Sequence, residues 1–507
     1  MPFTPDPVPP GTSPTLEGSS GEFWTPLYTH GCSFPPEIFR ETVLNLIRNP
    51  NLNSNHLFRA DISLDRPYED GISLESNIAP RIIQFQSFTL ERVVVRTMIP
   101  RNILVDKPLV QTCNFYKRVT DEGEVVSLVV YLPHISSASE SPFYHPAVHG
   151  IGFLHSFDPR TMQGIVSIHY SFFESEPRSE KLQRTAMHLL AITHKHGQGS
   201  AAGYVKRVHH DLIIPQARVQ NTYARLKSKY ARDLVQRWVE VTDPGKHVFE
   251  DLSIAAFLIE LWDEMYKRNE FPGFVDIGCG NGLLVHILVE EGYSGWGFDA
   301  RKRKSWPAWS TKAQENLKEM VLIPSIIQKI PSGSSLDDSH STEVFVSSSD
   351  PRLPIKDLTV STDSQTHGIH DGIFPKGTFI ISNHADELTP WTPLLANISE
   401  CPFMIVPCCS HALSGSRFRA PAPKDGSSNS AYASLVTWVS KLAKDCGWEV
   451  EKEMLRIPST RNTALIGRRR LVPFDDVNVS ELVNANGGAA GWEENALKLL
   501  KSSARGH

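Results

Sequence analysis

The tightest constraint on how this chain folds is the run Phe274-Val275-Asp276-Ile277-Gly278-Cys279-Gly280-Asn281-Gly282, followed by Leu283, Leu284, Val285, Ile287 and Leu288. It predicts a buried strand, a tight turn and a helix. Glycines at 278, 280 and 282 let the backbone turn sharply and let a ligand lie where a Cβ would clash. In an open α/β sheet the crevice beyond the strand's carboxyl end is the ligand site. The spacing says which ligand. A Gly-x-Gly-x-x-Gly turn seats pyrophosphate on a helix N-terminus, whereas here the glycines alternate and Asp276 closes the strand with a carboxylate that would repel pyrophosphate. That carboxylate suits a ligand carrying an ammonium. A second strand over 295–298 ends in Asp299, where an acid can accept both ribose hydroxyls of an adenosine.

In this respect Asp276 resembles the first motif of class I methyltransferases, and the downstream pattern agrees. Thr378 to Ser382 reads as a fourth strand and 403–408 as a fifth, with a helix over 389–396 between them. The apolar β runs 449–457 and 463–469 are separated by a loop too short for a parallel crossover, so they pair antiparallel. A mostly parallel sheet closed by such a hairpin resembles the seven-stranded class I (Rossmann-like) methyltransferase fold.

The fourth strand delivers Asn383, His384, Ala385, Asp386 and Glu387 into the crevice. Methyl transfer is an in-line displacement, so alignment contributes most and proton removal second. Asn383 and His384 can position the acceptor and Asp386 or Glu387 can take its proton. The same two acids also suit the start of the following helix, and both readings stay open. Cys408, Cys409 and His411, with Cys401 nearby, resemble a metal set only superficially, because adjacent cysteines chelate one ion poorly and no second pair stands at ligand spacing. No metal is expected.

At 507 residues the chain exceeds what one core usually supports. We expect a disordered arm over 1–22, an α+β domain of unknown role over 23–200, the α/β methyltransferase domain over 204–474 with a Ser- and Asp-rich insertion at 331–367, and a tail from 475. In the first domain a helix is expected over 38–47, β runs over 82–99, hairpins over 116–132 and 151–173, and a helix capped by Ser179 that stops at Gly197. In the second, Pro215 opens a helix whose buried stripe is Val219, Tyr223, Leu226, Tyr230, Leu234 and Trp238. The helix over 249–266 is apolar on most sides and should be buried. No run of about twenty apolar residues and no leader pattern appears, so no membrane span is expected and the chain should stay inside the cell. Seven sparse cysteines fit a reducing compartment.

A net charge of −5 excludes coating nucleic acid through a broad basic field, so any RNA contact must be local. Three basic stretches qualify: 301–304, 468–470 and the helix over 218–237. Lys206, Arg207, His209, His210 and Asp211 form a further polar loop that can touch RNA. Arg456, Ser459 and Arg461 sit at the tip of the antiparallel hairpin, as phosphate ligands or as turn chemistry.

Longer words of sequence resemble the eukaryotic tRNA (uracil-2′-O-)-methyltransferase family that modifies uridine at tRNA position 44. They are 276–282, Gly297-Phe298-Asp299-Ala300-Arg301 through Lys304-Ser305-Trp306, 383–391, Pro407-Cys408-Cys409 and 456–462. The resemblance implies a cytoplasmic enzyme that moves methyl from S-adenosyl-L-methionine to the uridine ribose of serine-type tRNAs. It implies cofactor contacts at Asp276, Gly278, Gly280 and Asp299, and the neighbouring Cys279, Asn281, Gly282 and Ala300 are cofactor candidates beside them. Catalytic candidates are Asn383, His384, Asp386 and Glu387, and substrate candidates are Arg301, Lys304, Arg456, Ser459 and Arg461. The family supplies no general base, and the Lys-Asp-Lys-Glu set of another ribose methyltransferase group is missing at the fourth strand. Rival readings are a methyltransferase with a small-molecule or protein acceptor, and a non-catalytic tRNA-binding scaffold that would need neither cofactor acid.

Overall fold

A computed structural model of the chain describes residues 3–9, 11–14, 16–19, 21–69, 78–103, 105–173, 179–204, 210–266, 270–328, 368–422 and 430–501. The insertion at 331–367, with the short strand conceivable at 344–346, and Lys206, Arg207 and His209 lie outside them. The chain divides into two compact units, Met1–Arg207 and Val208–His507.

The first unit is one antiparallel sheet wrapped on two helices. Its strands are β1 (Asp6–Pro7), β2 (Leu16–Glu17), β3 (Phe23–Cys32), β4 (Leu57–Pro67), β5 (Thr89–Pro100), β6 (Leu109–Val119), β7 (Val125–Pro133), β8 (Gly150–Asp158) and β9 (Gln163–Ser171). They run in the order β1-β3-β9-β8-β7-β6-β5-β4, with β2 also on β3. One face buries α1 (Pro36–Arg48) and α2 (Glu180–Ala201) on a core of Phe34, Phe39, Val43, Phe153, Ile168 and Leu190. The other face is covered by the strap around Ile83 and Phe85, which packs on Trp24, Val93, Val95 and Leu128. With both faces covered, the central strands read as nearly continuous apolar runs. That explains a miss: 82–88 was expected to extend the strand that begins at Thr89, yet its apolar residues belong to the strap.

Two further expectations fail here for local reasons. The segment read as a disordered arm carries β1 and β2, and Phe3 stacks on His30 at 4.6 Å. Helix α2 is capped by Ser179, which accepts from the Leu182 N–H, but it runs past Gly197 to Ala201. A Cβ at Gly197 would stand 2.8 Å from the Phe34 ring, so this glycine admits a neighbour instead of ending the helix.

Among the described residues the second unit has an eight-stranded sheet, one strand more than expected. Its strands are β10 (Phe274–Ile277), β11 (Gly295–Asp299), β12 (Leu317–Leu322), β13 (Gly368–His370), β14 (Phe379–Asn383), β15 (Phe403–Val406), β16 (Trp448–Met454) and β17 (Thr463–Arg470). The order is β13-β12-β11-β10-β14-β15-β17-β16, parallel through β15 and antiparallel at β17 and β16. Short β13 adds the unexpected edge. The order reverses between β10 and β14, which opens a crevice at their carboxyl ends.

Helices cover both faces. On one side lie α3 (Gln216–Gln236), α4 (Pro244–Met265), α5 (Leu283–Glu290) and α6 (Thr311–Glu315), packed on Phe274, Phe379, Ile381 and Ile466. After the short α7 (Ser325–Gln328) come α8 (Thr392–Ile398), α9 (Ala431–Asp445), α10 (Val479–Ala485) and α11 (Trp492–Lys501). Helices α8 to α11 pack on the other face against Val275, Ile277, Ile380 and Phe403. Strand alternation thus sends Phe274 and Asp276 toward α4, and Val275 and Ile277 away from it. The expected tail belongs to this core: Val479, Val483, Trp492 and Ala496 are buried. Among the described residues no helix is long and apolar enough to cross a membrane.

Candidate active site

A cavity of about 890 Å³ opens where β10, β11, β14 and β15 end. Its floor is the glycine turn. Gly278, Gly280 and Gly282 have φ of 72°, 52° and 71°, the left-handed region that favours glycine. A Cβ at Gly278 would meet the Ala385 Cβ at 3.1 Å, so the turn and the loop after β14 approach as closely as backbone allows. The N–H groups of Gly278 and Cys279 both donate to the Phe298 carbonyl, at 2.8 and 2.9 Å. From outside, the Trp306 Nε1 donates to the Gly280 carbonyl, and the Trp309 Nε1 and Ser305 hydroxyl donate to that of Asn281. The family-like word Lys304-Ser305-Trp306 is therefore a clamp on the turn. The Asn281 side chain accepts from the Leu283 N–H at 2.8 Å and starts α5.

The walls are acidic. Asp299 Oδ2 accepts from the Gly280 N–H at 3.0 Å and Oδ1 from the Arg301 N–H at 3.2 Å, with Arg303 3.6 Å away. A carboxylate has about four lone-pair sites, so acceptor capacity is left for a ligand. Asp276 is 1% exposed and its Oδ1 is buried without a hydrogen-bond partner. Burial pushes its carboxyl well above the usual range, and Asp251 and Asp299 push it further. Asp251, on α4, is likewise pushed up to about 8 by burial and then by Glu250, against a lowering hydrogen bond from Asn383. Asp251 and Asp276 thus lie buried beside acidic neighbours that raise both, and an ammonium ligand would relieve the pair.

Strand β14 ends at Asn383, and the next residues turn tightly: His384 and Asp386 have φ of 52° and 43° although neither is glycine. Such strain persists where neighbouring contacts over-determine it, and it clusters at functional sites. His384 Nε2 lies 2.9 Å from Glu250 Oε1, and Asn383 Nδ2 donates to Asp251 at 3.4 Å. Asp386 accepts from the Cys408 thiol at 3.0 Å. Burial raises the Glu387 carboxyl, and Asp386 adds to this. The ligand atoms of Asp386, Cys408 and Cys409 fall within 4.8 Å of one another, but Cys408 and Asp386 already satisfy each other. Cys401 is elsewhere, its thiol donating to the Pro375 and Ser399 carbonyls.

Of the residues singled out by sequence, Asp276, Gly278, Cys279, Gly280, Asn281, Asp299, Ala300, Arg301, Asn383, His384, Asp386, Glu387, Ser459 and Arg461 line this one cavity. Three do not. Gly282 caps α5, Lys304 is exposed outside the lining, and Arg456 pairs with Asp211 through Nε and one Nη, at 3.1 and 2.6 Å. Much of two basic stretches is ion-paired within the unit. On α3, Arg218 pairs with Glu260, Asp263 and Glu264, and Arg225 and Lys229 with Glu291. Arg468 and Arg469 pair with Glu264, Glu449 and Glu451. The basic groups that do line the cavity include Arg417 and Arg461, the latter over the Tyr432 ring at 5.6 Å from its centroid.

Arg303 belongs to the basic stretch 301–304 singled out by sequence, but sequence reading missed Glu250, Asp251, Arg417 and Tyr432 in the lining. A signal existed for Glu250 and Asp251: adjacent acids inside a helix that is otherwise apolar and buried need partners.

An adenosine-bearing cation fits these residues, and family comparison gives the same class. Residues 213–324 match the family described as predicted AdoMet-dependent methyltransferase, and 5–207 match the TRM44-like, N-terminal bet v1-like domain. The protein is an S-adenosylmethionine-dependent methyltransferase with a Bet v 1-like N-terminal domain. Curated relatives refine this. The chain is 51% identical to the tRNA (uracil-O(2)-)-methyltransferase of Neurospora crassa, over 99% of this chain and 98% of that one. It is 38% identical to that of Debaryomyces hansenii, covering 96% of each, and 37% identical to that of Schizosaccharomyces pombe, covering 96% and 94%. The chain belongs to the tRNA (uracil-O(2)-)-methyltransferase family.

Proposed function

We propose that this enzyme transfers methyl from S-adenosylmethionine to the ribose 2′-oxygen of a tRNA uridine, at position 44 of serine tRNAs, in the cytoplasm. The observation that carries the reading is the single cavity in which the glycine turn, two cofactor-type acids and the polar 383–387 loop meet. The sheet order from β12 to β16 supports a seven-stranded class I arrangement for this unit, with β13 as an added edge. The second unit is thus the catalytic one, and the bases on the rim give an RNA phosphate its counter-charge.

When bound, S-adenosylmethionine supplies an electrophilic methyl group on a sulfonium. Asp276 receives the ammonium of its amino-acid part, Asp299 the ribose hydroxyls, and Gly280, with nothing within 4 Å of a Cβ position, admits the ligand against bare backbone, while Gly278 lets the turn close on the 383–387 loop. Asn383, His384, Asp386 and Glu387 hold the acceptor ribose and take its proton. Ser459, Arg461 and Arg301 contact the RNA backbone, where Arg461 on Tyr432 forms a platform that suits a phosphate or a base.

Mass spectrometry of nucleosides from purified serine tRNAs tests this. Cells lacking the protein are expected to lose 2′-O-methyluridine from that fraction and to regain it on complementation. An undiminished level would refute the proposed reaction.

A further inference from the structure

We propose that Glu250 is the positioning residue that makes His384 the proton acceptor for the ribose hydroxyl, an inference that rests on the methyl-transfer reading above. Helix α4 is apolar and buried around this point, with Leu252, Ile254, Ala255 and Phe257 in the core. Burying two adjacent acids there is unfavourable unless each has a partner. Both partners are consecutive residues leaving β14: His384 for Glu250 and Asn383 for Asp251. The His384 backbone is held as well, its N–H donating to the Val406 carbonyl at 3.1 Å while φ stays at 52°. A strained residue is thus fixed from α4 on one side and from β15 on the other.

The chemistry of the pair assigns the proton. An ionised carboxylate only accepts, so the His384 Nε2 carries the hydrogen facing Glu250 and Nδ1 keeps the lone pair. His384 lines the cavity and its side chain is 26% exposed, whereas that of Glu250 is 8% exposed. Of the competing acids on the loop, Asp386 already takes the Cys408 hydrogen. In the step itself, the 2′-oxygen forms its bond to the methyl carbon as its proton passes to His384 Nδ1. The carbon–sulfur bond breaks with its electron pair left on sulfur, so the sulfonium charge vanishes as an imidazolium charge appears. Glu250 stabilises that new charge, and the proton then passes to water. Of the other ionisable groups, His247 on α4 interacts electrostatically with His384, and the cavity lining also includes Lys246 and Asp251 on α4, Asp276, Asp299, Arg301 and Arg303 from β10, β11 and the loop that follows, Asp386 and Glu387 on its own loop, and Cys408, Cys409, His411, Arg417 and Arg461 beyond β15.

The test is single-turnover transfer of labelled methyl to tRNA by the full chain, followed across pH for wild type, Glu250→Gln and His384→Asn. His384→Asn is expected to slow transfer about 10²–10⁴-fold, the range for loss of a general base. Glu250→Gln is expected to slow it roughly 10–100-fold and to move the acidic limb of the profile to lower pH, because the imidazolium loses its carboxylate. S-adenosylmethionine binding by calorimetry reports folding, and Glu250→Asp should recover the limb. Wild-type rates in either variant, an unmoved limb in Glu250→Gln, or loss of cofactor binding in all three variants would overturn the assignment. If the wild-type product is not 2′-O-methyluridine, the reaction reading falls first, whatever the variants do.

Discussion

Asp276→Asn is expected to lower S-adenosylmethionine affinity by about 10²–10³-fold, in line with truncating one partner of a buried charged contact. The ligand-free protein should at the same time be at least as stable as wild type. The two effects share one cause. Asp276 is buried, its Oδ1 lacks a partner, and its carboxyl is pushed far above the ordinary range. A carboxyl whose folded pKa lies above its unfolded value destabilises the fold at any pH where the unfolded chain would ionise it. That cost begins near about pH 4 and grows as pH rises toward the folded value. The amide has no such cost, so the stability gap in favour of the variant should widen from about pH 5 to 8. Thermal melts across that range, beside calorimetric titration of the cofactor, check both halves. Loss of affinity together with loss of fold would mean that Asp276 serves structure instead.

Trp492→Ala carries the largest expected loss of stability. The indole is 2% exposed, packs 5.4 Å from the Trp391 ring and donates its Nε1–H to the Leu322 carbonyl at 2.8 Å. Truncating a buried tryptophan costs about 3–5 kcal/mol, here with an orphaned carbonyl added. In a unit of this size that lowers the melting temperature by roughly 10 °C. Because Trp492, Ala496 and Leu499 also line the cavity, the variant should bind cofactor more weakly as well. Circular-dichroism melts with and without S-adenosylmethionine separate the two effects. A melt unchanged from wild type would mean that α11 is an appendage, as the sequence suggested.

Residues 475–501 look polar because α10 and α11 are short and amphipathic, and the few apolar positions that matter, Val479, Val483, Trp492 and Ala496, are too sparse to announce a core. The glycine turn, by contrast, was legible, since alternating glycines between a strand and an apolar helix admit few other structures. The hairpin of β16 and β17 was legible because a short loop forbids a parallel crossover. What periodicity cannot convey is pairing at long range. The bases of α3 read as a candidate RNA face, yet Glu260 and Glu291, far along the chain, claim Arg218, Arg225 and Lys229. The same blindness hid Glu250, whose meaning depends on His384, more than a hundred residues away.

The central claim is that Asp276 and Asp299 grip one methyl donor in this cavity, and titration calorimetry of S-adenosylmethionine into the purified chain tests it most directly. With Asp251 held up to about 8 in the free cleft, binding a cation should expel a proton. The heat should therefore depend on the buffer's ionisation enthalpy, and affinity should rise from about pH 6 toward 8, where the ligand's own amine begins to lose its proton. The account predicts saturable binding with that proton release, no response to NAD, and no measurable binding after Asp299→Ala. Undiminished binding by Asp299→Ala, or none by the wild type, would contradict it.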